Sequence, residues 1–188
     1  MVEHQRRVIV VDYDPSWPTT FEALRAPVWA AVRDVAVSVQ HVGSTAVPGL
    51  AAKPIIDMDV VVASSDAMSE AIRRLAALGY AHRGNLGIED REAFKSPPEL
   101  PAHHLYVCLQ GSTALANHLA LRDFLRCDPA SVAQYGRIKK RLAARFPEDI
   151  DNYIAGKTEF ILTVLRKTGL HESELKIIGD ANALLPKA

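Results

Sequence analysis

The sequence predicts a single α/β (α+β) domain whose C-terminal third is helical. Two observations carry this prediction. Short runs of β-branched residues alternate with segments of helical periodicity up to Ser112, and beyond that residue the apolar positions recur at helical spacing almost to the end. A chain of 188 residues, of which 48% are apolar, is also long enough for one domain with a substantial core.

The first third of the chain is predicted to contain one helix and three strands. Residues 8–11 are a short apolar run that fits an edge strand. A helix begins near Ser16, which can cap it, and apolar residues then recur at helical spacing to Val32. Two β-branched runs follow, Val35–Val42 and Pro54–Val62, and both fit buried strands.

The middle of the chain alternates between helical and extended patterns. Ser64 can cap a helix that runs to about Leu78 and is closed by Gly79. Residues 80–94 are polar and contain glycine, which is typical of a strand pair or of an active-site loop. The run His103–Leu109 predicts a further strand.

Three helices are predicted in the last third, over about residues 114–126, 129–146 and 148–168. Gly169 is a plausible stop for the last of them. The tail beyond it gives no clear signal. We therefore expect a single domain over residues 1–170, followed by a partly disordered tail over 171–188.

The charge balance and the two cysteines restrict the class of protein. The chain has 22 basic and 22 acidic residues, so overall charge gives no reason to expect nucleic-acid binding. Cys108 and Cys127 fit no metal-binding spacing, and we expect both to be reduced thiols. The N-terminus is too polar for a signal peptide and no apolar run approaches the length of a membrane span, so we expect a cytoplasmic protein without a membrane partner.

Asp57 and Asp59 lie inside the otherwise apolar run Pro54–Val62. Residues two apart in a strand leave the same face, so both carboxylates point one way. Two buried acids side by side repel each other and resist desolvation, and a bound Mg²⁺ offsets both costs. The alternative is a strand end at which the two aspartates simply face water.

A Gly43-Ser44-Thr45 turn precedes the acid pair and favours the metal interpretation. Glycine lets the backbone approach a triphosphate closely, and Ser44 and the following amides can donate hydrogen bonds to its oxygens. Carboxylates downstream can then hold a metal ion against the same phosphates. Each part alone is a weak signal, because a Gly-Ser turn is usually only a turn. In this order and on these elements the parts are more specific.

From His41 to Val60 the chain reads HVGSTAVPGLAAKPIIDMDV, which resembles the signature of the GrpB family, a group within the nucleotidyltransferase superfamily. The likeness continues through residues 103–107 and 121–126 and into the helical segment that ends near Leu165. The resemblance implies the nucleotidyltransferase fold, a small mixed sheet flanked by helices.

The same resemblance implies roles for the residues of the signature. Gly43 and Ser44 match the Gly-Ser motif of the superfamily, which contacts the NTP substrate. Asp57 and Asp59 match its paired catalytic carboxylates, which bind Mg²⁺ or Mn²⁺.

The sequence departs from the superfamily at the third acidic residue, which should lie on a later strand. That strand carries His103 and His104, and only one of them shares a face with Tyr106 and Cys108. His104 is the candidate for a replacement ligand or for the base that activates the attacking hydroxyl. The alternative is a strand-end histidine that hydrogen-bonds a neighbour. The loop residues that can instead supply the missing acid are Glu89, Asp90 and Glu92.

Several cations are candidates for phosphate binding. Lys53 precedes the acid-bearing strand, and Arg91 lies in the polar segment where a loop arginine can clamp phosphate. Lys139 and Lys157 belong to the C-terminal helices, and Tyr153 shares a helical face with Lys157. We interpret that face as the far wall of the cleft. The commoner alternative is a set of ordinary amphipathic-helix and loop residues.

Three functions compete at this point. The first is a metal-dependent nucleotidyltransferase that moves NMP from an NTP to a small-molecule or protein acceptor. The second is a catalytically degenerate, nucleotide-binding regulatory module, which the missing third acid favours. The third is a metal hydrolase built from histidines and Asp57, although those histidines lack compact ligand spacing. The histidines of the third hypothesis are His41, His82, His103 and His104.

Overall fold

The structure, a computed structural model, describes residues 7–183. The predictions for the N-terminal six residues and for residues 184–188 lie outside this part of the chain. The sheet strands are β1 (Ala36–Val42), β2 (Ile56–Val62), β3 (Ala81–His82), β4 (Arg91–Lys95) and β5 (His103–Leu109). They form one mixed sheet in the order β1-β2-β5-β4-β3, in which β2 and β5 are parallel and the other neighbours are antiparallel.

Helices flank this sheet, as the predicted fold class requires. They are α1 (Trp17–Val32), α2 (Ser65–Ala77), α3 (Thr113–Cys127), α4 (Pro129–Arg145), α5 (Ile150–Lys167) and α6 (Glu172–Ala183). The predicted helices and the strands β1, β2 and β5 are confirmed to within a few residues. The polar segment 80–94 is a strand pair, since β3 and β4 pair with each other across a loop.

The larger core lies on one face of the sheet. Met58 and Val60 of β2 pack there with Leu105 of β5, and α1 and α2 cover them through residues such as Val28 and Leu75. Side chains alternate along a strand, so Asp57 and Asp59 lie on the opposite face. The helical C-terminal third covers that second face.

Two predictions at the N-terminal end are wrong. Residues 8–11 do not form an edge strand, because the contact with the sheet region is a single bridge between Val11 and Ala52. Ser16 makes no side-chain cap at the start of α1. Asp14 accepts a hydrogen bond from the Ser16 amide instead, at 2.8 Å.

The tail expected to be partly disordered is also corrected. Residues 172–183 form α6, and its Leu175 and Ile178 pack in one cluster with Leu165 of α5. A helix this short is marginal in isolation and is stabilised by the face it buries, so its local sequence alone predicts it poorly. The division of the chain at residue 170 stays a prediction.

None of the helices within residues 7–183 is long and apolar enough to cross a membrane. Cys108 is buried, Cys127 is exposed, and the two are not joined in a disulfide.

Candidate functional site

The acid pair on β2 faces the helical layer. Asp57 is opposite His104 of the parallel strand β5, and Asp59 is opposite Tyr106. Because the two strands run parallel and in register, these side chains form a short polar strip on one face of an otherwise apolar sheet. Asp57 and Asp59 therefore share one face of the sheet, as the sequence predicts.

Asp59 pairs with a histidine of α3. Nδ1 of His118 lies 2.7 Å from Oδ2 of Asp59, whose side chain is fully buried. Burial opposes the charged imidazole, but the charge of Asp59 and its hydrogen bond outweigh burial and raise the pKa of His118. Oδ1 of Asp59 has no hydrogen-bond partner among the described residues.

Asp57 pairs with His104, the histidine that the sequence predicts as a replacement for the third acid. Nδ1 of His104 donates to Oδ1 of Asp57 at 2.8 Å. Burial raises the pKa of the Asp57 carboxyl, but the hydrogen bond from His104 and the charges of His104, His118 and Lys53 together outweigh burial and leave the pKa below its usual value. With Nδ1 bonded to Asp57, Nε2 is the His104 atom that remains for a proton or a metal ion.

Gly43 lies directly against the side chain of Asp57. Its φ of 69° lies in the left-handed region, and a Cβ at this position would lie 2.8 Å from Cγ of Asp57. No real side chain tolerates that approach, so glycine is required here by the Asp57 carboxylate itself. Ser44 follows at the start of a short 3-10 turn.

Gly43, Ser44, Asp57 and His118 line a cleft of about 200 Å³ between the sheet and the helices. We call it the Asp57 cleft. Its polar lining consists of Ser44, Asp57, Asn117, His118, Arg122, Tyr135, Lys157 and Asn182. The Gly-Ser turn, one of the acids and one of the predicted lysines therefore meet at one place.

Lys157 is one of the cations of the cleft, together with Arg122. Its Nζ lies 4.5 Å from the centre of the Tyr153 ring, so the two residues share a face of α5 as predicted. Burial lowers the pKa of Lys157 to about 8, with a further lowering by Lys53 and an opposing effect of Asp57. Burial also lowers the pKa of Lys53, again opposed by Asp57.

Lys139 of α4 is the most buried of these cations. Only 2% of its surface is exposed, and its Nζ has no hydrogen-bond partner within residues 7–183. Nζ lies 4.6 Å from the centre of the Tyr135 ring. Burial and the charge of Lys157 hold the pKa of Lys139 well below its usual value, and Asp57 opposes them. The charge of Asp57 thus acts on Lys53, Lys139 and Lys157, and in each case it favours the protonated lysine.

Seven predicted residues do not line the cleft, namely Thr45, Lys53, Asp59, Arg91, His104, Lys139 and Tyr153. Thr45 is buried, and its hydroxyl contacts Nε2 of His41 at 3.0 Å and donates to the Ile55 carbonyl at 3.5 Å. Arg91 stacks on Tyr106 at 4.5 Å and lines a second cavity together with Glu89 and Asp90. The Thr45 hydroxyl is thus engaged within the fold, and Arg91 is separate from the Gly-Ser turn.

The remaining candidates for a third acid differ in position. Glu92 contacts Nε2 of His82 at 2.6 Å and alternates with Arg91 and Ala93, so it lies on the other face of the sheet. Glu89 and Asp90 line the second cavity rather than the Asp57 cleft. Among residues 7–183, no group of three or more histidine, cysteine or acidic side chains is arranged to hold a metal ion.

The histidines of the metal-hydrolase hypothesis do not converge on Asp57. His41 contacts Thr45, and burial lowers its pKa to about 4. His103 contacts the Tyr80 hydroxyl at 2.8 Å on the core side of the sheet. His104 alone among the four hydrogen-bonds Asp57 within the described chain. Within the described chain, these four histidines therefore do not form a metal-binding site with Asp57.

Sequence reasoning missed His118 and Arg122. They are an i, i+4 pair on α3, and Arg122 donates to the Gln40 side chain and to the His41 carbonyl, each at 3.0 Å. Two polar residues at this spacing inside an apolar helix were the available signal. The helical pattern does not reveal that this face of α3 meets β2.

A mixed sheet that carries paired aspartates on a central parallel strand, covered by helices, defines a protein of the nucleotidyltransferase fold. The structure of Cid1 in complex with its short product ApU has the same fold. Its TM-score is 0.55 with 12% identity, over 81% of this chain and 49% of that one. A family model described as "GrpB protein" matches residues 7–167, and the chain belongs to the GrpB family.

Relatives within the family are similar over most of this chain. The UPF0157 protein YqkA of Bacillus subtilis is 36% identical over 159 residues, which are 85% of this chain and 46% of YqkA. The chain therefore spans about half the length of that relative. The crystal structure of GrpB from Enterococcus faecalis has a TM-score of 0.77 and 33% identity, over 85% of this chain and 96% of that one.

Proposed function

We propose that this protein is a metal-dependent nucleotidyltransferase that transfers NMP from an NTP to an acceptor hydroxyl. One observation carries the proposal: Asp57 and Asp59 share a face of the sheet, Lys157 lines the same cleft as Asp57, and Lys53 and Lys139 also interact with the Asp57 charge. Acids in the midst of excess buried positive charge match a metal ion together with a polyphosphate, whose negative charges offset the lysines.

The donor set fits Mg²⁺ or Mn²⁺. Mg²⁺ usually binds one or two carboxylates and completes its shell with water and substrate phosphates. Asp57 and Asp59 would hold the ion, and Oδ1 of Asp59, which has no hydrogen-bond partner within residues 7–183, would be one of its ligands. A bound divalent ion supplies charge stabilisation to the phosphates.

The residues of the chain then have separate roles. The Gly43-Ser44 turn would bind the triphosphate through the Ser44 hydroxyl and the backbone amides that follow, and Lys157 and Lys53 would offset phosphate charge. In the transfer, the acceptor oxygen bonds to the α-phosphorus and the bond to the bridging oxygen of the β-phosphate breaks. Pyrophosphate leaves with the electron pair, and the hydroxyl proton moves to Nε2 of His104, which Asp57 orients through Nδ1.

A second candidate is a nucleotide-binding regulatory module without turnover. It is favoured by a specific observation: within the described chain both acids are hydrogen-bonded to histidines, and the face that carries them has no third carboxylate. In this case the same cleft binds NTP and no chemistry follows.

The test is pyrophosphate release and NTP binding with Mg²⁺ or Mn²⁺, in the parent and in Asp57→Asn/Asp59→Asn. The proposal requires release in the parent and loss of metal-dependent NTP binding in the variant. Asp66→Asn, at an exposed position of α2, is the matched control and should behave like the parent. Binding without release in either metal would support the regulatory module, and unchanged binding in the double variant would overturn both.

His104 provides a second arm of this test. If it replaces the third acid, His104→Asp should retain or raise Mg²⁺-dependent release, while His104→Ala should lose it. The parent should prefer Mn²⁺, because imidazole suits a transition metal better than Mg²⁺. A His104→Ala enzyme that matches the parent in both metals would assign His104 a structural role.

A further inference from the structure

A second cavity, which we call the Arg91 cavity, lies beside the Asp57 cleft. It has a volume of about 150 Å³ and is enclosed by the loop before β4, the first half of α3 and the end of α6. Asn117, His118 and Asn182 line both spaces. His118, which holds Asp59, therefore stands at the junction between them.

Arg91 points to a ligand in this cavity. The residue is 8% exposed, its Nε has no hydrogen-bond partner, and its guanidinium forms no ion pair within residues 7–183. The Tyr106 ring at 4.5 Å offsets part of the cost of burying the charge. A buried guanidinium nevertheless carries donors that need acceptors, and an anion bound in the fork of the group satisfies them.

Asn117 adds a second, independent requirement. Its Oδ1 is buried without a partner in the described part of the chain. A ligand that satisfies Asn117 must donate a hydrogen bond, and one that satisfies Arg91 must accept. An NTP bound at the Gly43-Ser44 turn does not meet both, because Arg91 does not line the Asp57 cleft.

We propose that the Arg91 cavity is the acceptor site and that the acceptor is a small hydroxylated anion. Arg91 binds its phosphate or carboxylate group, Asn117 accepts from one hydroxyl at the junction beside His118, and a second hydroxyl attacks the NTP. This inference rests on the proposed transferase function. The enclosure by three elements and the small volume favour a small molecule over a protein segment.

The test uses sn-glycerol 3-phosphate and D-glycerate as probes, with glycerol as the uncharged probe. Binding is measured by titration calorimetry with the cleft saturated by a non-hydrolysable NTP analogue and Mg²⁺. We expect at least one of the two anions to bind, and glycerol not to bind. Arg91→Met should weaken the bound anion about tenfold or more, because it loses a charge-assisted pair.

Matched variants separate this site from the nucleotide site. Arg83→Met removes an exposed arginine of the same segment and should bind the probe like the parent. Lys157→Met should weaken the NTP analogue but leave the probe unaffected. Arg91→Lys keeps the charge without the fork and should bind between the parent and Arg91→Met, which guards against a folding defect.

The outcomes are distinct. If the probe binds but no NTP binds, the transferase proposal fails, whereas the anion-binding site at Arg91 is still supported. The inference is overturned if neither anion binds, if the probe competes with the NTP analogue, or if folded Arg91→Met binds like the parent. The inference is also overturned if the enzyme transfers NMP to a protein instead of these small molecules, and Arg91→Met does so as well as the parent.

Discussion

Nδ1 of His118 on α3 lies 2.7 Å from Oδ2 of Asp59 on β2, and this contact links the helical layer to the sheet. The carboxylate is fully buried and the histidine is mostly buried. A buried acid of this kind depends on its partner, because desolvation is costly unless a charge or a hydrogen bond compensates it.

Removal of His118 should therefore destabilise the fold more than its size suggests. We expect His118→Leu to lower the free energy of unfolding by about 3 kcal/mol, because it strands the Asp59 carboxylate. His118→Gln, which can still donate, should cost less. Asp59→Asn/His118→Leu should be more stable than His118→Leu alone. Urea unfolding measures all four proteins, and a double variant no more stable than the single one would contradict the argument.

The same pair makes stability depend on pH. The pKa of His118 is raised in the folded protein above its unfolded value of about 6.5. Its contribution is therefore complete below pH 6.5 and is lost as the pH rises through the raised pKa. The stability difference between the parent and His118→Gln should shrink across that range. An NMR titration of the His118 ring checks the raised pKa directly, and a normal or lowered value would refute it.

Gly43→Ala tests the close approach of Asp57. The substitution brings a positive φ and a Cβ clash, so we expect a loss of about 3 kcal/mol in the free energy of unfolding. Gly87→Ala is the control, because Gly87 has a φ of 78° and nothing within 4 Å of its added Cβ. It should lose only about 1 kcal/mol from backbone strain. Asp57→Ser should recover part of the loss at Gly43 and none at Gly87.

Lys139→Met should stabilise the protein. The buried ammonium lacks a hydrogen-bond partner among residues 7–183, and a methionine of similar shape avoids its desolvation. We expect a gain of about 1 to 3 kcal/mol at neutral pH. Lys140→Met, at the exposed neighbour that pairs with Asp12, should change stability by less than about 1 kcal/mol. Thermal unfolding of both variants decides the matter, and a destabilised Lys139→Met would indicate a structural need for the charge.

Lys157 should raise stability in alkaline solution. Its folded pKa of about 8 lies below the ordinary value of 10.5, so the unfolded chain binds more protons between these pH values. The free energy of unfolding should therefore rise across that window, by about 2 kcal/mol after allowance for partial solvent access. Lys157→Met should show a smaller rise, because Lys139 and Lys53 also have lowered pKa values and still contribute, and the exposed Lys167→Met should retain the full rise. A parent whose stability is flat from pH 8 to 10 would contradict the lowered pKa.

Local sequence was sufficient for most elements. The β-branched runs around Val39 and Val60 and the helical periodicity after Ser112 reflect which side chains must be buried, and this is a local property. The shared face of Asp57 and Asp59 followed from the period of a strand alone. α6 was missed because its stability comes from packing on Leu165, to which its own residues give little clue.

By itself, the sequence determined the fold class, the GrpB resemblance and the acid pair with its Gly-Ser turn. These features depend on residues that are close together in the chain, and their spacing determines which side chains share a face. Only the tertiary structure decided that His118 holds Asp59, that Lys139 is buried without a partner, and that Arg91 lies outside the Asp57 cleft. Each of these joins residues far apart in the chain, and the register of packed elements, which no local pattern encodes, brings them together or keeps them apart.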